Sequence, residues 1–97
     1  MYRSSSYDEY LSKKLTNKRF AQEYLLSLIE DHDLTLDEAL KQTISKMGIK
    51  EFSKMAHIAA PSLVRFIKGK GQLKPQTLDT FLKPFALRTK TILEKVA

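Results

Sequence analysis

The sequence predicts an all-α fold, a compact bundle of five or six short helices with a helix-turn-helix among them. Three observations carry this. Apolar residues recur at intervals of three and four along most of the chain, while no alternating stretch persists long enough for a strand. Helix starts are marked by Ser6, Asn17, Thr35, Pro61 and Pro75, and stops by Gly48 and Gly69. Finally, 97 residues of which 42% are hydrophobic suffice for one small core and no more.

The elements follow in order. Ser6 and Glu9 have the spacing of a capping box, so a short first helix is expected from there through Tyr7, Tyr10, Leu11 and Leu15, with the stem of Lys14 completing the apolar stripe. Asn17 can cap a second helix carrying Phe20, Ala21, Tyr24, Leu25, Leu28 and Ile29 and ending near Asp31. Thr35 and Glu38 form another capping box, ahead of Leu36, Ala39, Leu40, Ile44 and Met47, and Gly48 should close that helix in a left-handed turn. A short helix from about Lys50 to Ala56 then buries Phe52, Met55 and Ala56. After a break at 57–59, Pro61 falls in the first turn of a helix that holds Leu63, Val64, Phe66 and Ile67 and ends at Gly69. The basic loop 68–74 leads to Pro75 and a helix with Leu78, Phe81, Leu82 and Phe85, which should kink or end near Lys83 because the Pro84 ring clashes with the preceding turn. For residues 88–97 both a helix through Ile92, Leu93 and Val96 and a strand favoured by Thr89 and Thr91 stay open.

Charge is unevenly placed. Residues 1–38 hold five basic and eight acidic side chains, a net −3, and residues 39–97 hold twelve basic and three acidic, a net +9. A concentrated positive field attracts polyanions, and neutralising phosphates releases their counterions. The absence of cysteine excludes disulfides and thiolate sites, which fits a reducing compartment, and two histidines do not make a zinc site. No cofactor or metal is expected. No apolar run approaches the roughly 18 residues that span a bilayer, and the opening residues lack the hydrophobic middle of a secretion signal, so the expected location is the cytoplasm without membrane contact. The chain is short for a cleft and has no nucleophile, base and orienting group at related spacing, so no catalytic residue is assigned and an enzyme is not expected. Asp31, His32 and Asp33 read as a polar loop, and His57 as a turn residue rather than a ligand.

The informative block is Phe52 to Phe85. Two short helices joined by a three-residue turn, followed by a further amphipathic helix, are the layout of a helix-turn-helix reader of double-stranded DNA. In that layout the second helix buries Leu63, Phe66 and Ile67 and presents Ala60, Pro61, Ser62 and Arg65 to a major groove about 12 Å wide. Arg65 is the leading base contact because a guanidinium matches the paired acceptors of guanine; it could instead be merely exposed or paired with Glu51. Ser62 could donate to a phosphate or a base, or simply face solvent. Lys50, Lys54, Lys68, Lys70 and Lys74 surround the motif and are read as phosphate clamps in preference to a solubilising face. The row Tyr7, Tyr10, Phe20, Tyr24 and Leu28 reads first as core and second as a partner surface.

Within this block, Ile49 to Leu87 resembles the Cro/C1-type, lambda-repressor-like helix-turn-helix. Phe52-Ser53-Lys54-Met55-Ala56 matches its first motif helix, Ile58 its turn hydrophobe, Leu63 and Phe66 its buried recognition-helix positions, and Gly69 its closing glycine. Upstream, Tyr7-Asp8-Glu9-Tyr10-Leu11, Ala21-Gln22-Glu23-Tyr24-Leu25, and Glu38-Ala39-Leu40 ahead of Met47-Gly48 are similar to HigA-like addiction-module antidote proteins. The resemblance implies an antitoxin of a type II toxin-antitoxin module: a homodimer that represses its own operon and binds a RelE-like toxin. It also implies a division into an N-terminal helical extension, 1–34, for dimer or partner contacts, and a DNA-binding domain, 35–97. Two positions depart from the pattern. His57 replaces the turn glycine, and Ala59 replaces the Ser or Thr cap, which gives up on the order of 1 kcal/mol of helix stability. With Pro61 contributing no donor, specificity is expected to lean on DNA shape and Arg65. The alternatives are a protein-interaction adaptor on the same scaffold and a stand-alone phage-type regulator.

Overall fold

A computed structural model of the chain describes the backbone of residues 2–69, 73–90, 93, 95 and 96, and the side chains of these residues apart from 2–6 and 8. Six helices follow one another in the described residues: α1 Tyr2–Lys14, α2 Lys18–Glu30, α3 Leu36–Met47, α4 Ile49–Ala56, α5 Ala60–Lys68 and α6 Pro75–Leu82, the last continued by a 3-10 turn, Lys83–Phe85. No strand occurs among the described residues, so the fold is all-α.

The caps decide where several helices begin. Asn17 Oδ1 accepts from the Phe20 N–H at 3.0 Å, opening α2 where expected. At α3 both halves of the capping box form: Thr35 Oγ1 accepts from the Glu38 N–H at 3.2 Å, and Glu38 Oε1 accepts from the Thr35 N–H at 2.9 Å. The first helix departs from expectation. It starts at Tyr2, placing Ser6 in its interior and not at its cap, because nothing between Tyr2 and Ser6 breaks a helix. Only Leu11 and Leu15 of its stripe are buried; Tyr7 and Tyr10 are each 61% exposed. α1 packs on α3, where the Ser12 hydroxyl donates to the Met47 carbonyl.

The two stopping glycines work differently from a left-handed cap. Gly48 has φ 108° and ψ 131°, a conformation that glycine alone adopts readily, and as a single residue it closes α3 and opens α4. Gly69 is extended at φ −79°, and it is needed for a different reason: a Cβ there would stand 2.8 Å from the Arg65 carbonyl oxygen. The left-handed turn falls instead on His57, φ 57° and ψ 44°, between α4 and α5. That strain is opposed by Ser53, whose carbonyl accepts from the His57 N–H and whose hydroxyl donates to the Ile58 carbonyl at 2.6 Å.

One hydrophobic core runs from Leu11 to Phe85, with α3 packed against α1, α2, α4 and α5. Phe52 is its centre, fully buried, with ring centroids 6.1 Å from Phe81 and 5.9 Å from Phe85; Phe81 in turn meets Phe66 edge-on at 5.0 Å. Pro84 ends α6 as its ring requires, and the 3-10 turn that results delivers the Phe85 carbonyl to the Gln22 side-chain amide, which donates to it at 3.0 Å. Residues 87–90, 93, 95 and 96 are neither helix nor strand; Thr91 and Ile92 lie outside the described residues.

A carboxylate fastens the segment after α6. Asp79 Oδ1 accepts from the Thr89 N–H at 2.7 Å and from the Thr89 hydroxyl at 2.8 Å. These bonds, with Arg88 nearby and against some desolvation, hold the Asp79 carboxyl below its ordinary value of 3.8. Because the folded state binds this proton less tightly than the unfolded chain, the contribution is complete above pH 3.8 and is lost as pH falls through the lower folded value. Asp79→Asn should therefore flatten the loss of stability below about pH 4, read from urea midpoints between pH 2 and 5. An unchanged acid limb would mean that the Thr89 bonds do not hold in solution.

Candidate nucleic-acid interface

The surface around α4 and α5 follows from helical spacing. On α4, burial of Phe52 and Ala56 turns Lys50, Lys54 and His57 outward at steps of four and three. On α5, burial of Leu63 and Phe66 does the same for Pro61, Arg65 and Lys68. Two exposed stripes thus flank the turn 57–59. Of the expected base-contact residues, Pro61 and Arg65 are exposed and Ala60 and Ser62 half-buried; Ile67, expected inside, is half-buried as well.

Arg65 is the most informative side chain. Its Nη2 donates to Ser62 Oγ at 3.3 Å, one turn back on the same helix. It forms no ion pair among the described residues, so the pairing with Glu51 does not occur and the guanidinium keeps most of its donors. Lys50, Lys54, Lys68 and Lys74 are all exposed, and Lys70 lies outside the described residues. Lys41 serves the structure instead: its Nζ donates to the Gly69 carbonyl at 2.8 Å, over the Phe66 ring.

Helix termini separate this half from the other. α2 and α3 have side-chain caps, whereas α4, α5 and α6 open at Gly48, Ala59 and Lys74 with no capping side chain. At α4 the first N–H groups are left to solvent or to an anion, whereas Pro61 and Pro75 remove one donor each from α5 and α6 and the Ser62 N–H donates to the Ala59 carbonyl at 3.0 Å. The sequence had exposed only the gap at Ala59; the shared pattern needed helix boundaries, since Gly48 doubles as a stop and Lys74 gives no cap signal. Ala59→Ser should stabilise the fold by about 1 kcal/mol, because the backbone at 59 is already extended, φ −61° and ψ 137°. A urea midpoint no higher than wild type would show that the cap cannot form beside Pro61.

Elsewhere the described residues offer little for chemistry. A groove of about 550 Å³ between α1, α3 and the start of α4 is lined by Glu9, Lys13, Lys46 and Glu51 among others. Those charges are of mixed sign and hold no arrangement of nucleophile and base. No group of three or more His, Cys, Asp or Glu residues could hold a metal ion among the described residues, and no helix of these residues is long and apolar enough to cross a membrane. Set against known protein families, characterised proteins and solved structures, the chain gives no match.

Proposed function

We propose that the protein is a sequence-specific helix-turn-helix DNA-binding repressor, with α5 as the recognition helix, and that its setting is the antitoxin of a toxin-antitoxin module. The observation that carries this reading is the pair of exposed stripes on α4 and α5 about a three-residue turn, with the exposed Arg65 guanidinium in no ion pair among the described residues. Arg65 would read a guanine edge, with Pro61 and the half-buried Ala60 and Ser62 beside it. Lys50, Lys54, Lys68, Lys70 and Lys74 would hold the phosphates, helped by the uncapped start of α4. A two-fold dimer would place one α5 in each of two major grooves about 34 Å apart, so the operator should be an inverted repeat.

In this reading residues 35–97 bind DNA and residues 1–34 supply dimer or partner contacts. The carboxylates Glu30, Asp31, Asp33, Asp37 and Glu38 crowd the end of α2 and the start of α3, a surface suited to the basic face of a RelE-like toxin. Asp31→Lys with Asp33→Lys, both exposed, should abolish co-purification with such a toxin and leave DNA binding intact.

The decisive test is fluorescence anisotropy on duplexes tiled from the region upstream of the gene, against scrambled DNA. One tile should bind tightly, and Arg65→Ala should lose about 1 to 3 kcal/mol on that tile alone, while Lys68→Ala should weaken every duplex alike. Equal affinity for all tiles, unmoved by Arg65→Ala, would remove the specific reader and leave the adaptor.

A further inference from the structure

The net −3 of residues 1–38 hides a separation of charge. The five carboxylates of residues 30–38 sit at one turn, and at the other, residues 13–19 hold Lys13, Lys14, Lys18 and Arg19 and no carboxylate. All four of these cations are exposed, clustered where α1 hands over to α2. Three carboxylates lie nearby in sequence: Glu23 pairs with Arg19 at 3.6 Å, Glu9, one turn before Lys13, forms no ion pair with it, and the side chain of Asp8 lies outside the described ones.

Beside this cluster lie two exposed tyrosines and two half-buried rings, Phe20 and Tyr24, that pack against the core. Tyr7 and Tyr10, three apart on α1, are each 61% exposed, which is unusual for side chains of their size. The ammonium of Lys14 stands 5.7 Å from the Tyr10 ring centre and 5.1 Å from that of Phe20, and Phe20 stacks on Tyr24 at 6.3 Å with 25° between the planes. Lys14 thus bridges the exposed Tyr10 of α1 to the half-buried Phe20–Tyr24 stack of α2. Flat exposed rings interleaved with lysines are what single-stranded nucleic acid requires: bases stack on the rings whatever their identity, and cations track the phosphates. A duplex cannot use the rings, because its bases are already stacked on one another.

We propose that the α1–α2 face binds single-stranded nucleic acid, with Tyr7 and Tyr10 as stacking platforms and Lys13, Lys14, Lys18 and Arg19 as phosphate contacts. This surface is separate from the α4–α5 face, and it stands or falls independently of duplex recognition there. The four exposed cations at the turn favour a polyanion, and the exposed tyrosines favour one with unpaired bases.

The test titrates the full chain at low salt with labelled 15-mers of thymidylate and of uridylate, and with a duplex of equal length, reading anisotropy together with quenching of the tyrosine emission that no tryptophan obscures. Saturable binding of the single strands is expected. Tyr10→Ala should weaken it at least fivefold, Tyr7→Ala similarly, and Tyr10→Phe by less than twofold, since stacking needs the ring and not the hydroxyl. Both tyrosines are exposed, so a unchanged urea midpoint checks that the variants fold. Lys18→Glu with Arg19→Glu should weaken both single strands and leave the duplex affinity of the α4–α5 face within about threefold. A preference for uridylate or for thymidylate would tell RNA from DNA as the natural strand. The proposal is overturned if the single strands do not bind, which would leave the tyrosines to a protein partner. It is equally overturned if their binding ignores the tyrosine variants and falls with Arg65→Ala, which would place them on the other face.

Discussion

Phe52→Ala should cost about 3 to 5 kcal/mol and leave the protein much less stable near 37 °C. Phe52 has no exposed surface, and its ring is the one that meets both Phe81 of α6 and Phe85 of the 3-10 turn. Deleting it removes the transfer free energy of a whole ring and opens a cavity that helices held from both sides cannot easily close. Tilted ring pairs add roughly 0.5 to 1.5 kcal/mol each beyond area alone. A domain of this length commonly has only about 5 to 15 kcal/mol in total, so the loss takes much of the reserve. Thermal unfolding followed by circular dichroism should show a midpoint at least about 12 °C lower. Phe52→Leu, which keeps most of the volume, should lose less than half as much. A drop of under 1 kcal/mol for the alanine variant would mean that α4 is not seated on this core, and would undercut the orientation of both exposed stripes.

The parts of this fold that are legible in the sequence are those fixed by local chemistry. Asn17 and the Thr35–Glu38 pair act within one turn of themselves, and Pro84 ends α6 by its own ring. Features set by the whole bundle were not legible. Tyr7 and Tyr10 have the spacing of core residues, but only Leu11 and Leu15 of that stripe are buried, and periodicity alone does not say how far a neighbouring helix reaches. Ser6 looks like a cap because a capping box is only four letters long; the helix that continues back to Tyr2 overrides it. Residues 88–97 balance helical and strand tendencies, and the described ones among them follow neither: Thr89 is fastened by Asp79, ten positions earlier. For the candidate interface, the exposure of Arg65 and the lysines was readable from the apolar stripes they oppose. That Arg65 rests on Ser62 and not on Glu51 was not, since pairing depends on how α4 and α5 cross. The polarity of the N-terminal half was hidden by summing its charges over 38 positions.

Raising salt from 50 to 200 mM should weaken duplex binding by about 150-fold per protomer if the lysines act as phosphate clamps. The figure follows from counterion release, in which the logarithm of affinity falls with the logarithm of salt at a slope of about −0.9 for each phosphate neutralised. Lys50, Lys54, Lys68 and Lys74 are exposed along or beside the two stripes, so one protomer neutralising four phosphates gives a slope near −3.6, and a two-fold dimer doubles it. Lys54→Ala should make the slope shallower by about 0.9 per protomer and weaken all sequences alike. Arg65→Ala should instead change affinity for the chosen sequence much more than it changes the slope, because a guanidinium spent on a base edge releases no phosphate counterion. The two variants thus separate positioning from reading on the same pair of helices. A salt slope shallower than −1 for the intact protein would be incompatible with a clamp of several lysines. It would instead fit an apolar contact between proteins, which screening by ions hardly touches, and the α4–α5 face would then have to be reassigned to that kind of partner.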